Sequence, residues 1–180
     1  RELASGLSMP VGFKNGTGGG VQLAIDAIQA ALGAHHFLSV TKQGISAIVA
    51  TTGNDRCHVI LRGSNAGGNY DVDSISSLAE NLKKKELPFR VMVDCSHGNS
   101  AKDHAKQPLV NAEIASQIAS GSDDIFGVMI ESHLIEGRQD LIPGKNLNYG
   151  QSVTDACVSW ETTEQMLEDL ANAVRKRRSI

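Results

Sequence analysis

Five side chains carry the chemistry in this sequence: Lys14, Arg62, His97, Glu131 and Asp155. His97, Glu131 and Asp155 offer one imidazole nitrogen and two carboxylate oxygens, a donor set suited to a divalent metal ion. Lys14 and Arg62 are cations suited to a phosphate or a carboxylate. Taken singly, each has a plainer reading. A strand-end histidine is commonly just hydrogen bonded, a glutamate can be a solvated loop charge, and an aspartate can cap a turn. What sets the five apart is position. Lys14 with Asn15, Arg62, the stretch Asp94 to His97 and the stretch Glu131 to His133 each follow an apolar run, and Asp155 sits in the loop after the last strand. In a parallel α/β architecture these places share the C-terminal edge of the sheet, where loops build active sites.

The elements that must position them alternate. Met9–Lys14 is a short apolar run closed by Lys-Asn-Gly, a turn signal. Val21, Ala24, Ile25, Ile28 and Leu32 recur at helical spacing, with Gly33 as the expected C′ residue. Phe37–Thr41 and Ala47–Thr51 read as a hairpin, and His58–Arg62 as the next strand. Ile75, Leu78, Ala79 and Leu82 mark one face of a second helix that stops before Pro88. Arg90–Asp94 is a strand, Pro108 opens a third helix ended by Gly121, and Ile125–Glu131 is another apolar strand. A polar loop is expected from Glu136 to Val153. Thr162 and Gln165 have the spacing of a capping box for a last helix that buries Met166, Leu167, Leu170 and Val174. Apolar strands alternating with amphipathic helices imply a parallel sheet covered by helices. The candidates are an open doubly wound sheet and part of a (β/α)8 barrel; a complete barrel takes about 250 residues.

Composition narrows the classes. The chain has 180 residues, 41% hydrophobic, which suits a single domain spanning 1–180. Lys+Arg 17 against Asp+Glu 20 leaves a net charge of −3, with no basic surplus for nucleic acid. Apolar runs such as Ile125–Ile130 fall far short of the ~20 residues that span a bilayer, so no membrane association is expected. Three scattered cysteines (Cys57, Cys95, Cys157) make no disulfide framework. No charged-then-apolar leader opens this stretch, and the expected location is the cytoplasm. Ser8–Phe13 already reads as a buried strand, so the chain is expected to continue something longer.

Several other signals carry less. Gly16-Thr17-Gly18-Gly19-Gly20 precedes a helix but matches neither a dinucleotide fingerprint nor a P-loop, and reads as a flexible connection. His35-His36 reads as packing and solvent contact, His133 as a partner standing behind Glu131, and Lys83-Lys84-Lys85 as a solvated helix end. Trp160 reads as core or interface.

A resemblance is carried by particular motifs. Pro10-Val11-Gly12-Phe13-Lys14-Asn15-Gly16-Thr17, Ile60-Leu61-Arg62-Gly63, Asp94-Cys95-Ser96-His97-Gly98-Asn99-Ser100, Gly127-Val128-Met129-Ile130-Glu131-Ser132 and Thr154-Asp155-Ala156-Cys157 occur in order along the chain. Together they resemble the class I 3-deoxy-D-arabino-heptulosonate 7-phosphate (DAHP) synthases of the feedback-regulated microbial type. The resemblance implies an α/β fold that is the C-terminal half of a (β/α)8 TIM barrel, with about four βα units plus an inserted hairpin. It implies 3-deoxy-7-phosphoheptulonate synthase chemistry, a transferase reaction. Phosphoenolpyruvate and erythrose 4-phosphate condense to DAHP with release of phosphate, at the first step of the shikimate pathway to aromatic amino acids.

By the same pattern His97, Glu131 and Asp155 are metal ligands, while Lys14 and Arg62 hold phosphoenolpyruvate. His97, Lys14 and Arg62 together are the expected catalytic group. The metal is divalent, with Mn, Fe, Co and Zn all compatible with such donors. The earlier strands of the family pattern, its cysteine metal ligand and a basic phosphate-binding loop have no counterpart here. Cys95 shares strand parity with His97 and is the one substitute ligand in view. Family feedback sites for Phe or Tyr lie partly around Ser8 and the hairpin after Phe37, so an aromatic amino acid inhibitor is a further expected partner.

Half a barrel leaves strand edges near Ser8–Phe13 and Ile125–Glu131 open to pairing, so the chain is expected to homo-oligomerise or dock with an upstream half. Two alternatives stand beside a catalytic segment. One is a truncated, non-catalytic fragment that associates with a full-length synthase subunit; the other is a different metal-dependent barrel lyase or aldolase acting on phosphorylated sugars.

Overall fold

The computed structural model describes all residues from Arg1 to Ile180. In chain order the elements are α1 (Glu2–Ser5), β1 (Val11–Lys14), α2 (Gln22–Leu32), β2 (His36–Val40), β3 (Ser46–Ala50), β4 (Cys57–Leu61) and α3 (Val72–Lys84). There follow β5 (Val91–Asp94), α4 (Gln107–Ala119), β6 (Ile125–Met129), β7 (Ile135–Arg138), β8 (Gln151–Ser152) and α5 (Trp160–Arg177). Strands β1, β4, β5 and β6 form a four-stranded sheet in that order, and every pairing in it is parallel. Each of these strands is followed by a helix, α2, α3, α4 and α5 in turn, which makes four βα units. Strands β2 and β3 form the separate antiparallel hairpin inserted between α2 and β4.

Side-chain alternation decides where the core lies. Cys57, Val59 and Leu61 of β4, with Val91 and Val93 of β5, point to one face and are fully buried. They meet Ile25 and Ile28 of α2, Ile75 and Leu82 of α3, Val110 and Ile114 of α4 and Met166 of α5 in one contiguous cluster. The intervening residues Gly12, Lys14, His58, Met92 and Asp94 face the other side. With β1 and β6 outermost, both sheet edges are unpaired. β1, expected to be buried, is only half-buried because it is an edge.

Local sequence explains the helix boundaries. Asp71 caps α3 by accepting the Ser74 N–H at 2.9 Å, and Lys83 and Lys84 occupy its last turn. Pro108 sits in the first turn of α4. The last helix starts earlier than the Thr162–Gln165 spacing implies: Ser159 is its N-cap and accepts the Thr162 N–H at 3.2 Å. Leu167 is half exposed, and Thr163 and Ala173 take its expected place in the buried face. Gly33 ends α2 with extended backbone at φ −81°, not in the left-handed form expected of a C′ glycine. The stretch expected to be a loop from Glu136 to Val153 holds a small two-stranded sheet of β7 and β8, braced by the Gln139 amide on the Asn148 and Gln151 carbonyls. Trp160 is half exposed at the first turn of α5, so it is no core residue.

Candidate functional site

Lys14 is the last residue of β1, Arg62 follows β4 by one, Asp94 ends β5, and Glu131 follows β6 by two. All four therefore sit at the C-terminal rim of the parallel sheet. Two buried amides fasten this rim. The Asn15 side chain accepts the Arg62 N–H at 2.8 Å and donates to Gly63 O at 3.0 Å, joining the ends of β1 and β4. The Asn99 side chain donates to Leu61 O at 3.1 Å and Asp94 O at 2.8 Å, joining β4 to β5.

The loops after β4 and β5 also press backbone on backbone. Gly98 N–H donates to Arg62 O at 2.9 Å. A Cβ on Gly63 would lie 2.4 Å from Asn99 N, and one on Gly98 would lie 2.4 Å from Ser64 N. Gly63 also has φ +70°, a conformation that other residues adopt at a cost. Beside this contact His97 takes φ +54° without being glycine, a turn that swings its ring over the rim.

His97, Glu131 and Asp155 each present one ligand atom to a common space, all within 4.8 Å of one another. His97 Nε2 is 3.5 Å from Glu131 Oε1. The other carboxylate oxygen of Glu131 accepts the Ser96 hydroxyl at 2.7 Å, which aims the first oxygen at the imidazole. The backbone of Glu131 is held by Gln107, a fully buried residue at the start of α4. Asp155 is exposed on the loop after β8, and the Cys157 thiol donates to its carbonyl at 3.5 Å.

Behind His97 stands Asp94, whose carboxylate is entirely buried. Its Oδ2 lies 2.9 Å from His97 Nδ1 and 2.6 Å from Lys14 Nζ. The imidazole N–H points off the axis of its contact, leaving Nδ1 a buried polar atom without an aligned hydrogen bond. The donor set fits a divalent ion: one imidazole nitrogen and two carboxylate oxygens, with a carboxylate beside the ring's second nitrogen.

Cys95 does not join this set. The strand ends at Asp94 and the chain kinks at His97, so the alternation linking the two positions is broken. The Cys95 thiol instead lies in the hydrophobic core; burial, and then the neighbouring Asp94 charge, push its pKa up to about 12. Cys57 is core as well, and Cys157 is half-buried outside the ligand cluster. His133 is exposed, its Nδ1 accepting the Leu134 N–H at 2.8 Å, so it does not stand behind Glu131.

Arg62 stands one residue beyond β4, the strand paired with that of Lys14. A cavity of about 410 Å³ opens between the rim loops, lined by Arg62, Thr17, Ser64, Asn65 and Lys102 among others, with no acidic residue. The His97–Glu131–Asp155 cluster lies outside it. The glycine-rich Gly16–Gly20 segment closes on itself through Gly19 N–H to Gly16 O at 2.8 Å, as a connection does.

The sequence puts Asp94 at the rim without indicating its role, and Ser96, Gln107, Asn15 and Asn99 are supports that sequence reasoning missed. They lie in polar, glycine-containing turns or at a helix start, where sequence alone does not separate a buried amide from a solvated one.

Fold and site together define a parallel-sheet α/β chain whose imidazole, carboxylate and ammonium groups meet at the strand C-termini. The chain belongs to the DAHP synthetase I family, whose model matches residues 1–168. It is 56% identical over 178 residues to phospho-2-dehydro-3-deoxyheptonate aldolase of Haemophilus influenzae, covering 99% of this chain and 49% of that protein. Over 182 residues it is 57% identical to the tyrosine-inhibited phospho-2-dehydro-3-deoxyheptonate aldolase of Schizosaccharomyces pombe, again covering 99% and 49%. The Phe-sensitive enzyme of Escherichia coli K12 is 56% identical, with 99% of this chain and 51% of that protein covered. Among solved structures, the phospho-2-dehydro-3-deoxyheptonate aldolase of Francisella tularensis superposes with a TM-score of 0.93 at 56% identity, covering 98% of this chain and 51% of that one. The chain thus spans about half the length of the relatives it matches.

Proposed function

We propose that residues 1–180 are the C-terminal half of a (β/α)8 barrel and carry part of the active site of a 3-deoxy-7-phosphoheptulonate synthase. The reaction joins phosphoenolpyruvate, erythrose 4-phosphate and water into DAHP and phosphate. The observation that carries this reading is the meeting of His97, Glu131 and Asp155 beside Lys14 at one rim, in a chain of this family.

His97 Nε2 and one oxygen each of Glu131 and Asp155 would hold a divalent ion, for which Mn, Fe, Co and Zn are all suitable. When bound, the ion supplies Lewis acidity toward the aldehyde oxygen of erythrose 4-phosphate. Lys14 and Arg62 hold the phosphoryl and carboxylate charges of phosphoenolpyruvate and set its approach. Carbon 3 of phosphoenolpyruvate bonds to the aldehyde carbon, the oxygen of water bonds to carbon 2, and phosphate leaves as its C–O bond to carbon 2 breaks. Two positive side chains on the departing phosphate favour that last step. The reading places the chain in the cytoplasm. It brings with it an aromatic amino acid as feedback ligand near Ser8 and the β2–β3 hairpin, the relatives named above being tyrosine-inhibited in one case and Phe-sensitive in another.

The test is DAHP formation from both substrates and Mn²⁺, with and without a complementing N-terminal half. Activity that appears only on complementation supports a catalytic half-barrel. No activity and no metal binding, even with the complementing half, would instead mark a non-catalytic fragment that associates with a longer synthase.

A further inference from the structure

Asp94 touches both parts of the site. Its Oδ2 takes the Lys14 ammonium at 2.6 Å and faces His97 Nδ1 at 2.9 Å, so one oxygen serves two claimants. Its Oδ1 is occupied by the Ser96 N–H at 2.9 Å, and its backbone carbonyl by Asn99 at 2.8 Å. The carboxylate is wholly buried and anchored at both ends, so it has no freedom to turn toward one claimant and away from the other.

At metal centres, a carboxylate on the remote nitrogen of a ligand histidine fixes its tautomer and raises its donor strength. An ammonium on the same oxygen draws off part of that effect, since both contacts compete for one concentration of negative charge. We infer that Asp94 is a positioning residue through which the cation and the metal ligand are coupled. Drawing Lys14 toward an anionic substrate frees Oδ2 for His97 and tightens the metal. By linkage, a bound metal ion loosens Lys14 for the anion. This rests on the proposed roles of His97 and Lys14 and adds the connection between them.

The experiment titrates Co²⁺ into the full chain, followed by calorimetry and by the visible absorption of bound cobalt. Wild type is compared with Asp94→Asn, Lys14→Met, their double variant, Arg62→Met and His97→Ala. Asp94→Asn is expected to weaken Co²⁺ binding about 10–100-fold. Lys14→Met is expected to strengthen it by about 5-fold or more, and that gain is expected to vanish in the double variant. Arg62→Met removes a cation that makes no contact with Asp94 and should leave the affinity nearly unchanged.

A Lys14→Met gain that persists undiminished beside Asp94→Asn would be general electrostatics and would overturn the coupling. So would a His97-dependent cobalt site indifferent to both substitutions, and either result leaves the metal-centre reading intact. Cobalt binding that His97→Ala does not disturb, or no binding even with the complementing N-terminal half, brings down that reading and the coupling with it. Should Asp94→Asn fail to fold by circular dichroism, Lys14→Met against Arg62→Met decides, with equal effects overturning the coupling.

Discussion

The side chain of Gln107 closes a two-point hydrogen bond on the backbone of Glu131. Glu131 N–H donates to Gln107 Oε1 at 2.9 Å, and Gln107 Nε2 donates to Glu131 O at 3.0 Å. On the other side Val158 donates its N–H to Glu131 O at 2.9 Å and accepts the His133 N–H at 3.0 Å, so the Gln107 side chain supplies the partner that the Glu131 N–H otherwise lacks. Gln107→Leu keeps the volume and leaves the Glu131 N–H without a partner, while Glu131 O retains the Val158 N–H at 2.9 Å; the expected cost is about 1–3 kcal/mol. The expected result is a lower urea midpoint together with weaker Co²⁺ binding; a stability loss with unchanged cobalt affinity would separate Gln107 from the site.

The three candidate ligands differ in how firmly they are held. His97 and Glu131 are half-buried and supported by Asp94, Ser96 and Gln107, whereas Asp155 is exposed on a loop. His97→Ala and Glu131→Gln are therefore expected to abolish Co²⁺ binding, and Asp155→Asn to weaken it by a smaller factor. Calorimetric titration of the three variants checks the order, and a larger loss for Asp155→Asn than for Glu131→Gln would reverse it.

The crossing of the Gly63 and Gly98 loops leaves no room for a methyl group. Gly98→Ala is expected to cost about 1–3 kcal/mol, since its Cβ would meet backbone and not a yielding side chain. Gly18→Ala serves as the control, because a Cβ there meets nothing within 4 Å. Denaturation midpoints that fall equally for both variants would refute the close-approach account.

Burial gives Cys95 a pH signature. Its thiol ionises near 9.0 when free and is pushed up to about 12 in the fold, first by burial and then by the Asp94 charge. A proton held more tightly in the folded state stabilises fully below pH 9 and less as pH rises toward 12. Wild type should therefore lose stability across that window more steeply than Cys95→Ala, by up to one proton's worth of slope. The same thiol should resist aromatic disulfide reagents in the native chain and react after unfolding.

The outer edges of β1 and β6 present unpaired backbone groups. Concentration-dependent association is the expected result by light scattering. A monodisperse monomer across the accessible range would show that the edges are shielded without a second chain.

The four βα units were legible because burial on one sheet face imposes apolar runs, and burial of one helix stripe imposes a repeat of three and four. β7 and β8 were not legible: Gln151–Ser152 is two polar residues long, and it is paired through backbone bonds, Ile135 N–H to Gly150 O and Gln139 N–H to Ser152 O, that no periodicity announces. The rim position of Lys14, Arg62 and Glu131 followed from where each apolar run stops, whereas Asp155 reaches the cluster from a polar loop after β8. The role of Asp94 did not follow, since its partner Lys14 lies 80 residues away and one acid at a strand end resembles any other. The shared parity of Cys95 and His97 did not survive: Cys95 continues the alternation of Val91 and Val93 into the core, while His97 leaves it by turning with positive φ.

The buried amides of Asn15 and Gln107 receive the backbone N–H groups of Arg62 and Glu131. Strand ends ordinarily fray, and fraying sets how fast their hydrogens trade with solvent. Here the tips carrying the reactive groups are latched while the hairpin beyond α2 is not. Deuterium should therefore enter the hairpin within the early time points and reach the Arg62 and Glu131 amides only when the whole chain opens.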